Sequence, residues 1–266
     1  MNGERLHRVR RIVLQYRYLD DIFMSAALND AETIGVVLSI IMERTLKVIS
    51  VQAQDTVSNL YGHGVRFDVF AEDSDGIVYD IEIQRAKDGA DPKRARFNIA
   101  MLDSRALERG TTYRNLPRSV VIFITENDVL DDGLPIQHFR FVSDETGKML
   151  QTGQEIIYVD SSCQQDTPLG NLMRDFHCRD AKDIRNECLA RRMEKLKNSE
   201  TEVSRMCEAM ELFGDRCREE GREKGREEGR IASIRALMEN GFSIEKAFEL
   251  LKIPQADCEK LRKQLA

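Results

Sequence analysis

Residues 65–72 (VRFDVFAE) and 77–84 (IVYDIEIQ) alternate side chains with the period of a strand, and only four residues separate them. Val65, Phe67, Val69 and Ala71 alternate with Arg66, Asp68, Phe70 and Glu72. In the second run Ile77, Tyr79, Ile81 and Ile83 alternate with Val78, Asp80, Glu82 and Gln84. Gly76 suits the left-handed third position of a three-residue loop Ser74, Asp75, Gly76, closing on Asp73 and Ile77. Counting back along both strands places Asp68 opposite Glu82, with their Cβ atoms about 5 Å apart on one face. A two-residue loop would shift the register by one and send the two carboxylates to opposite faces.

Around this hairpin the chain reads as α/β. Residues 20–47 have a helical apolar face through Ile34, Val37, Leu38, Ile41 and Leu46, with Asp30 as a candidate N-cap. A loop around Gly62 and Gly64 precedes the hairpin. Pro92 to Leu107 is a helix candidate, and the near-continuous apolar run Ser119 to Thr125 fits a central strand covered on both faces. Helix, hairpin, helix and strand describe a mixed sheet flanked by helices. Short strand-like pieces follow at His138 to Ser143 and Glu155 to Val159, and residues 169–213 read as helices.

The expected divisions are an α/β domain over 1–165, a helical extension over 166–213, a charged linker or helix over 214–230 and a small helical tail over 231–266. The linker carries glycine at every fourth position in GREKGREEGR, which weakens a helix by about 1 kcal/mol per site relative to alanine. In the tail, Gly241 marks a turn, Ser243 an N-cap and Pro254 the start of a third helix. So small a piece is expected to need a partner surface, which makes a homo-oligomer through the C-terminal helices one expectation.

With 41% hydrophobic and 32% charged residues, the 266-residue chain is not disordered throughout. No apolar stretch approaches the roughly 20 residues that span a bilayer. The N-terminal arginines are followed by neither an apolar h-region nor a small-residue cleavage site, so a cytoplasmic protein without a membrane partner is expected. The six cysteines, from Cys163 onward, form no CxxC pair, and four histidines do not complete a cluster. They read as reduced, partly buried small hydrophobes.

A net charge of −6 argues against a dedicated nucleic-acid binder, yet the charge is uneven. Residues 85–118 hold nine bases against four acids, and residues 119–160 hold eight acids against two bases. A basic stretch inside an acidic protein points to a local polyanion contact or to a solvated helix face.

Two facing carboxylates form a hard oxygen site of the type that suits Mg²⁺ or Mn²⁺. In phosphodiester hydrolysis such an ion activates water and screens charge at phosphorus. Spacing alone leaves open that Asp68 and Glu82 simply meet solvent.

The run Arg66, Phe67, Asp68, Val69, the DG turn, then Asp80, Ile81, Glu82, Ile83, Gln84 and the segment KRARFN from Lys93 to Asn98 resemble the PD-(D/E)XK nuclease family transposases of bacteria, also called recombination-promoting nucleases. The similarity extends through Gly110 to Pro117 (GTTYRNLP), the apolar strand Val120 to Ile124, the upstream Asp20 to Phe23 and the downstream EGREKGREEGR. This resemblance implies a restriction-endonuclease-like core in which Asp68, Glu82 and the main-chain carbonyl of Ile83 bind the metal. Gln84 stands where the wider superfamily has a lysine, and glutamine is usual in this branch. An amide can hold a water but cannot offset phosphate charge, a role then left to Arg85 or Lys87. Met24 replaces a lysine found in many relatives beside the accessory candidate Asp20.

For Lys93, Arg94 and Arg96, with Asn98 as accessory, the functional reading is contact with the DNA backbone. The alternative is pairing with Asp88, Asp91 or Asp103 on the same helix. The chain is therefore expected to be a Mg²⁺- or Mn²⁺-dependent DNA endonuclease linked to transposition or recombination. The competing expectations are a non-cutting DNA- or partner-binding descendant of that fold and an oligomerisation protein worked by its charged helices.

Overall fold

The computed structural model describes residues 9–57, 65–107 and 112–265. The expected loop at Gly62 and Gly64, and Gly110 and Thr111 of the GTTYRNLP segment, lie outside them. The chain divides into two compact units, residues 1–207 and 208–266.

The first unit is built on one six-stranded sheet. Its strands are β1 (Val48–Val57), β2 (Val65–Asp73), β3 (Val78–Gln84), β4 (Ser119–Thr125), β5 (Ile136–Phe139) and β6 (Gln154–Asp160), in spatial order β1-β2-β3-β4-β6-β5. β1, β2 and β3 pair antiparallel, β4 lies parallel to both β3 and β6, and β5 returns antiparallel to β6. The sheet is mixed and its centre is the apolar run of β4, every residue of which is buried. Such a strand needs both faces covered, and the chain supplies helices for both.

Helices α1 (Asp21–Leu28) and α2 (Ala31–Ile41) lie against β1, β2 and β3. The single helical stretch expected over 20–47 is two helices bent by 104°. The break has a local cause. Asp30 accepts from the N–H of Thr33 at 3.0 Å and so starts a new helix instead of continuing the old one. Leu46 is buried, but after the helix has ended. β1 has no counterpart among the expected elements. Its five apolar residues are interrupted by Ser50, Gln52 and the run Gln54 to Thr56, with Ile49 exposed at the sheet's edge, and leave a weak alternation.

Helix α3 (Pro92–Ala106) forms the crossover between β3 and β4. Proline at its first turn and Asp91 accepting from the Lys93 N–H at 2.6 Å define its start. It buries Ala95, Ile99, Met101 and Leu102 against Phe70, Val78, Val121, Phe123 and Tyr158 of the sheet. The fifth strand, expected over His138 to Ser143, is earlier and shorter. Beyond it a bridge joins Val142 to Met149.

Helices α4 (Pro168–His177) and α5 (Glu187–Asn198) complete the unit. Arg192 on α5 donates to the carbonyls of Ala26 and Ala27 at 2.6 and 3.1 Å, closing the C-terminal end of α1. Buried Lys197 donates to the carbonyls of Leu14, Tyr16 and Arg179. The five described cysteines are free.

Helix α6 (Glu200–Glu239) runs through the glycine-spaced segment, and the division between the units falls within it. In the second unit its last turns pack with α7 (Ile244–Leu250) and α8 (Gln255–Leu265) around Ile234, Ala247, Phe248 and Leu261. Ser243 caps α7 by accepting from Lys246 N–H at 3.2 Å, and Gly241 takes a φ of 86° in the turn. The tail thus has its own small core of packed apolar side chains. No single helix among the described residues is long and apolar enough to cross a membrane.

The hairpin turn follows the expected geometry. The Asp73 N–H donates to the carbonyl of Ile77 at 3.1 Å, the Gly76 N–H to the carbonyl of Asp73 at 3.0 Å, and Gly76 has φ 75°. The Asp73 side chain, 1% exposed, secures this turn through four bonds. Oδ1 accepts from the N–H groups of Asp75 and Ile77 at 2.9 and 3.0 Å. Oδ2 accepts from the Tyr79 hydroxyl at 2.7 Å and from Arg44 at 3.0 Å. Replacing Asp73 by alanine strands these donors and is expected to lower unfolding stability by about 2–4 kcal/mol, read from denaturant titrations. A loss under about 0.5 kcal/mol would show that the turn does not depend on this carboxylate.

Candidate functional site

Register places the site. Val69 pairs with Ile81, Phe70 with Asp80, Ala71 with Tyr79 and Glu72 with Val78, so the next rung matches Asp68 with Glu82. At that rung the strands stop pairing and β2 leaves β3, although β2 stays bound to β1 through Phe67, Arg66 and Val65. Side chains fill the wedge. The Asp68 N–H points to Glu82 Oε1 at 3.4 Å, and the Ile83 N–H to Asp68 Oδ2 at 3.3 Å. Both bonds are long by the standard of 2.9 Å, so each holds its carboxylate only loosely across the wedge.

Alternation puts Asp80, Glu82 and Gln84 on one face of β3, beneath α3. Glu82 is fully buried and Asp68 partly so, so Glu82 does not meet solvent, the alternative that spacing left open. Burial, then the charge of Glu82, pushes the Asp68 carboxyl up to about 8, and Asp21 at the start of α1 adds to this. Burial also raises Glu82, against the opposing effects of Arg94 and of hydrogen bonds from the Asp68 N–H, Asp80 and Gln84. Asp80, which sequence reasoning passed over as a site residue, is fully buried behind Glu82. Its Oδ2 accepts from Asn98 Nδ2 at 2.8 Å, while Oδ1 has no partner. Burial first, then Glu82, drives its carboxyl well above the ordinary range.

The basic residues divide into distinct environments. Arg94 reaches back from α3 to Glu82 and to the carbonyl of Gly89 at 3.0 Å, and lies 5.8 Å from the Phe123 ring centroid. It does not pair with Asp91 or Asp103 of its own helix. Asp91 caps that helix, and Asp103 accepts from Ser119 and Gln154 at 2.9 and 2.6 Å. Lys93 and Arg96 are exposed on α3. Lys87 lies in the short turn Lys87–Ala90, with its side chain outside the described ones. Arg85 is bound to Asp20 and Glu126. Asn98 serves Asp80, and Met24 is buried.

Gln84 is partly buried and donates to Glu82. It lies so close to the backbone of Gly89 that a Cβ there would come within 1.9 Å of its Oε1. Gly89 therefore leaves the room in which the amide lies.

Among the described residues no group of three or more His, Cys, Asp or Glu side chains is arranged to hold a metal. The donors that do converge, the Asp68 and Glu82 carboxylates beside the backbone of Ile83, are all oxygens. Mg²⁺ needs no more than one or two carboxylates with water. Two acids pushed toward neutrality, both by burial and Asp68 also by the charge of Glu82, form a donor set that a divalent cation would relieve.

A carboxyl raised in the folded state favours folding below its ordinary range and loses that benefit as pH climbs toward 8. In metal-free buffer Asp68→Asn is therefore expected to leave stability nearly unchanged at pH 4. At pH 8 it should raise stability by about 2 kcal/mol, because asparagine keeps the acceptor for Ile83 without the charge. Denaturant curves at the two pH values check this, and an equal effect at both would count against the buried charge.

Comparison with known proteins adds one finding. The sequence profile of the PD-(D/E)XK nuclease family transposases matches residues 36–169, half of the chain, from within α2 to the start of α4. No curated protein and no solved structure matches significantly. The matched span contains the hairpin, the splayed strands with their carboxylates, and the α3 crossover, on a mixed sheet consistent with a restriction-endonuclease-like fold. The chain belongs to the PD-(D/E)XK nuclease family transposases.

Proposed function

We propose that this nuclease-family protein is a Mg²⁺- or Mn²⁺-dependent DNA endonuclease linked to transposition or recombination of mobile elements. The observation that carries the reading is the wedge where β2 leaves β3, because it sets Asp68 and Glu82 side by side, joined across it only by long hydrogen bonds. Asp68, Glu82 and the carbonyl of Ile83 would hold the ion. In a strand the N–H and C=O of one residue point to the same side, so the Ile83 carbonyl shares the wedge that its N–H enters. When bound, the ion lowers the pKa of water and screens charge on phosphorus.

The chain's own groups supply the rest. Gln84, braced against Gly89 and bonded to Glu82, orients the attacking water by hydrogen bonds. An amide adds no positive charge, so phosphate charge is met by Arg85 and by Lys87, Lys93, Arg94 and Arg96 around α3. Asn98 and Asp80 act from behind, fixing the strand face that carries Glu82. Contacts of this kind hold the backbone of DNA without reading its sequence. The C-terminal helices extend the reading to a homo-oligomer, supported by Met238, Phe242 and Leu250, which remain exposed on the tail.

One observation favours the competing reading of a non-cutting DNA- or partner-binding protein. Arg94 already neutralises Glu82, where a metal would have to compete. Nicking of supercoiled plasmid decides between the two readings. Asp68→Ala and Glu82→Ala should each abolish divalent-ion-dependent nicking by the purified protein, and full activity in either would sink the site. Gln84→Ala should lower turnover about 10²-fold or more while DNA affinity changes little, and Gln84→Lys should be tolerated. Wild-type turnover in Gln84→Ala would leave that residue a structural role only.

A further inference from the structure

The last residue of β3 is followed by a cation whose placement is over-determined. Arg85 Nε donates to Glu126 Oε2 at 2.8 Å, and its Nη1 to Asp20 Oδ1 at 3.0 Å. Arg17 closes the ring from the other side, with Nη2 2.9 Å from Glu126 Oε1 and 3.8 Å from Asp20 Oδ1. The main chain joins in as well. The Arg17 N–H donates to Asp20 Oδ2 at 2.7 Å, and the Glu126 N–H to the carbonyl of Gln84 at 3.1 Å. Three parts of the chain are therefore tied into one ring: the turn before α1, the end of β3 and the residue after β4.

The ring holds two positive and two negative side chains, so its members already satisfy one another. The exposure within it is uneven. The Arg17 and Asp20 side chains are 16% exposed and that of Glu126 22%, whereas that of Arg85 is 51% exposed. Nε and Nη1 of Arg85 are held, while the side chain as a whole stays half exposed. Arg85 directly follows Gln84, the last residue of β3, and the Glu126 N–H bonds the Gln84 carbonyl, so the ring stands at the end of β3 that carries Glu82 and Gln84.

We infer that Asp20, Glu126 and Arg17 are positioning residues which fix Arg85 as a preorganised phosphate-binding guanidinium at the mouth of the site. The inference rests on the nuclease reading for its substrate. It assigns Asp20 to holding a cation and gives Arg17 and Glu126 roles that the sequence motifs do not contain. A guanidinium fixed beforehand loses little freedom when it binds a phosphate, which is the benefit of having two carboxylate partners on a half-exposed arginine and a second arginine holding those carboxylates. It also supplies, from the residue after Gln84, the positive charge that glutamine lacks.

The test uses the full-length protein and three readouts: Mn²⁺ binding by calorimetry, the salt dependence of affinity for a duplex oligonucleotide in Ca²⁺, and nicking turnover. Arg85→Ala should flatten the plot of log affinity against log salt by about one unit, the signature of one lost phosphate contact. Asp20→Asn and Glu126→Gln should each lower turnover about tenfold and leave Mn²⁺ affinity within about twofold. Neither should add a further loss when combined with Arg85→Ala, because all three act through one guanidinium.

The inference is overturned if Arg85→Ala leaves the salt slope unchanged, or if ring variants add their full losses to that of Arg85→Ala. It is also overturned if Asp20→Asn weakens Mn²⁺ binding as strongly as Asp68→Asn, since Asp20 would then be a ligand. If the parent protein never nicks DNA, the nuclease reading fails, and the salt slopes still decide the role of Arg85.

Discussion

The carboxylate of Asp73 sits in the hairpin turn, and the rest of the site inherits its geometry. Two of its bonds go to N–H groups of the turn and of Ile77, and two go to Tyr79 and Arg44. These bonds define how many residues the turn contains, and that number defines the pairing of β2 with β3. Five residues before Asp73 stands Asp68, and five after Ile77 stands Glu82, which the pairing sets across from each other. A local capping interaction thus decides, at a distance of two strand turns, whether two acids share a face. Register is a discrete variable, so no intermediate arrangement is available to a mispaired hairpin.

From the turn outward the site becomes more costly to the fold. Asp80 and Glu82 are buried under α3 together with the Asn98 amide, the exposed Arg94 reaches Glu82 from outside, and Asp80 keeps an oxygen that accepts no hydrogen bond. A core made only for stability would place apolar residues at these positions. The neighbouring positions do so: Val78 and Phe70 on this face of β2 and β3, and Val120 to Ile124 of β4. The acids are confined to the end of the hairpin where β2 lets go of β3, while the parallel centre of the sheet carries the packing.

Much of this was legible in the chain. Alternation revealed both hairpin strands, Gly76 after Ser74 and Asp75 revealed the turn, and the unbroken apolar run revealed the central strand. What escaped was decided by tertiary context. β1 is an edge strand whose apolar residues are spaced too irregularly to advertise it. The bend between α1 and α2 depends on a single cap at Asp30. The burial of Glu82 depends on α3 lying over the hairpin, and the partner of Arg94 lies on a strand rather than on its own helix, where spacing rules look for it. Asp80 stands inside the recognised motif, but nothing in the motif distinguishes a buried acid behind the site from one that faces outward. The tail was read correctly as three helical pieces, while its internal cluster required knowing how they turn upon one another.

The dependence of the site on turn length has an evolutionary side. Substitutions at the wedge change one donor at a time and leave a graded series of proteins behind. Insertion or deletion of a single codon between Asp73 and Ile77 would act differently, because it touches no acid, amide or arginine of the site and yet can separate Asp68 from Glu82. Within a family of this architecture, a change of length in the hairpin turn is thus a sharper marker of abandoned chemistry than the loss of any one polar residue around it.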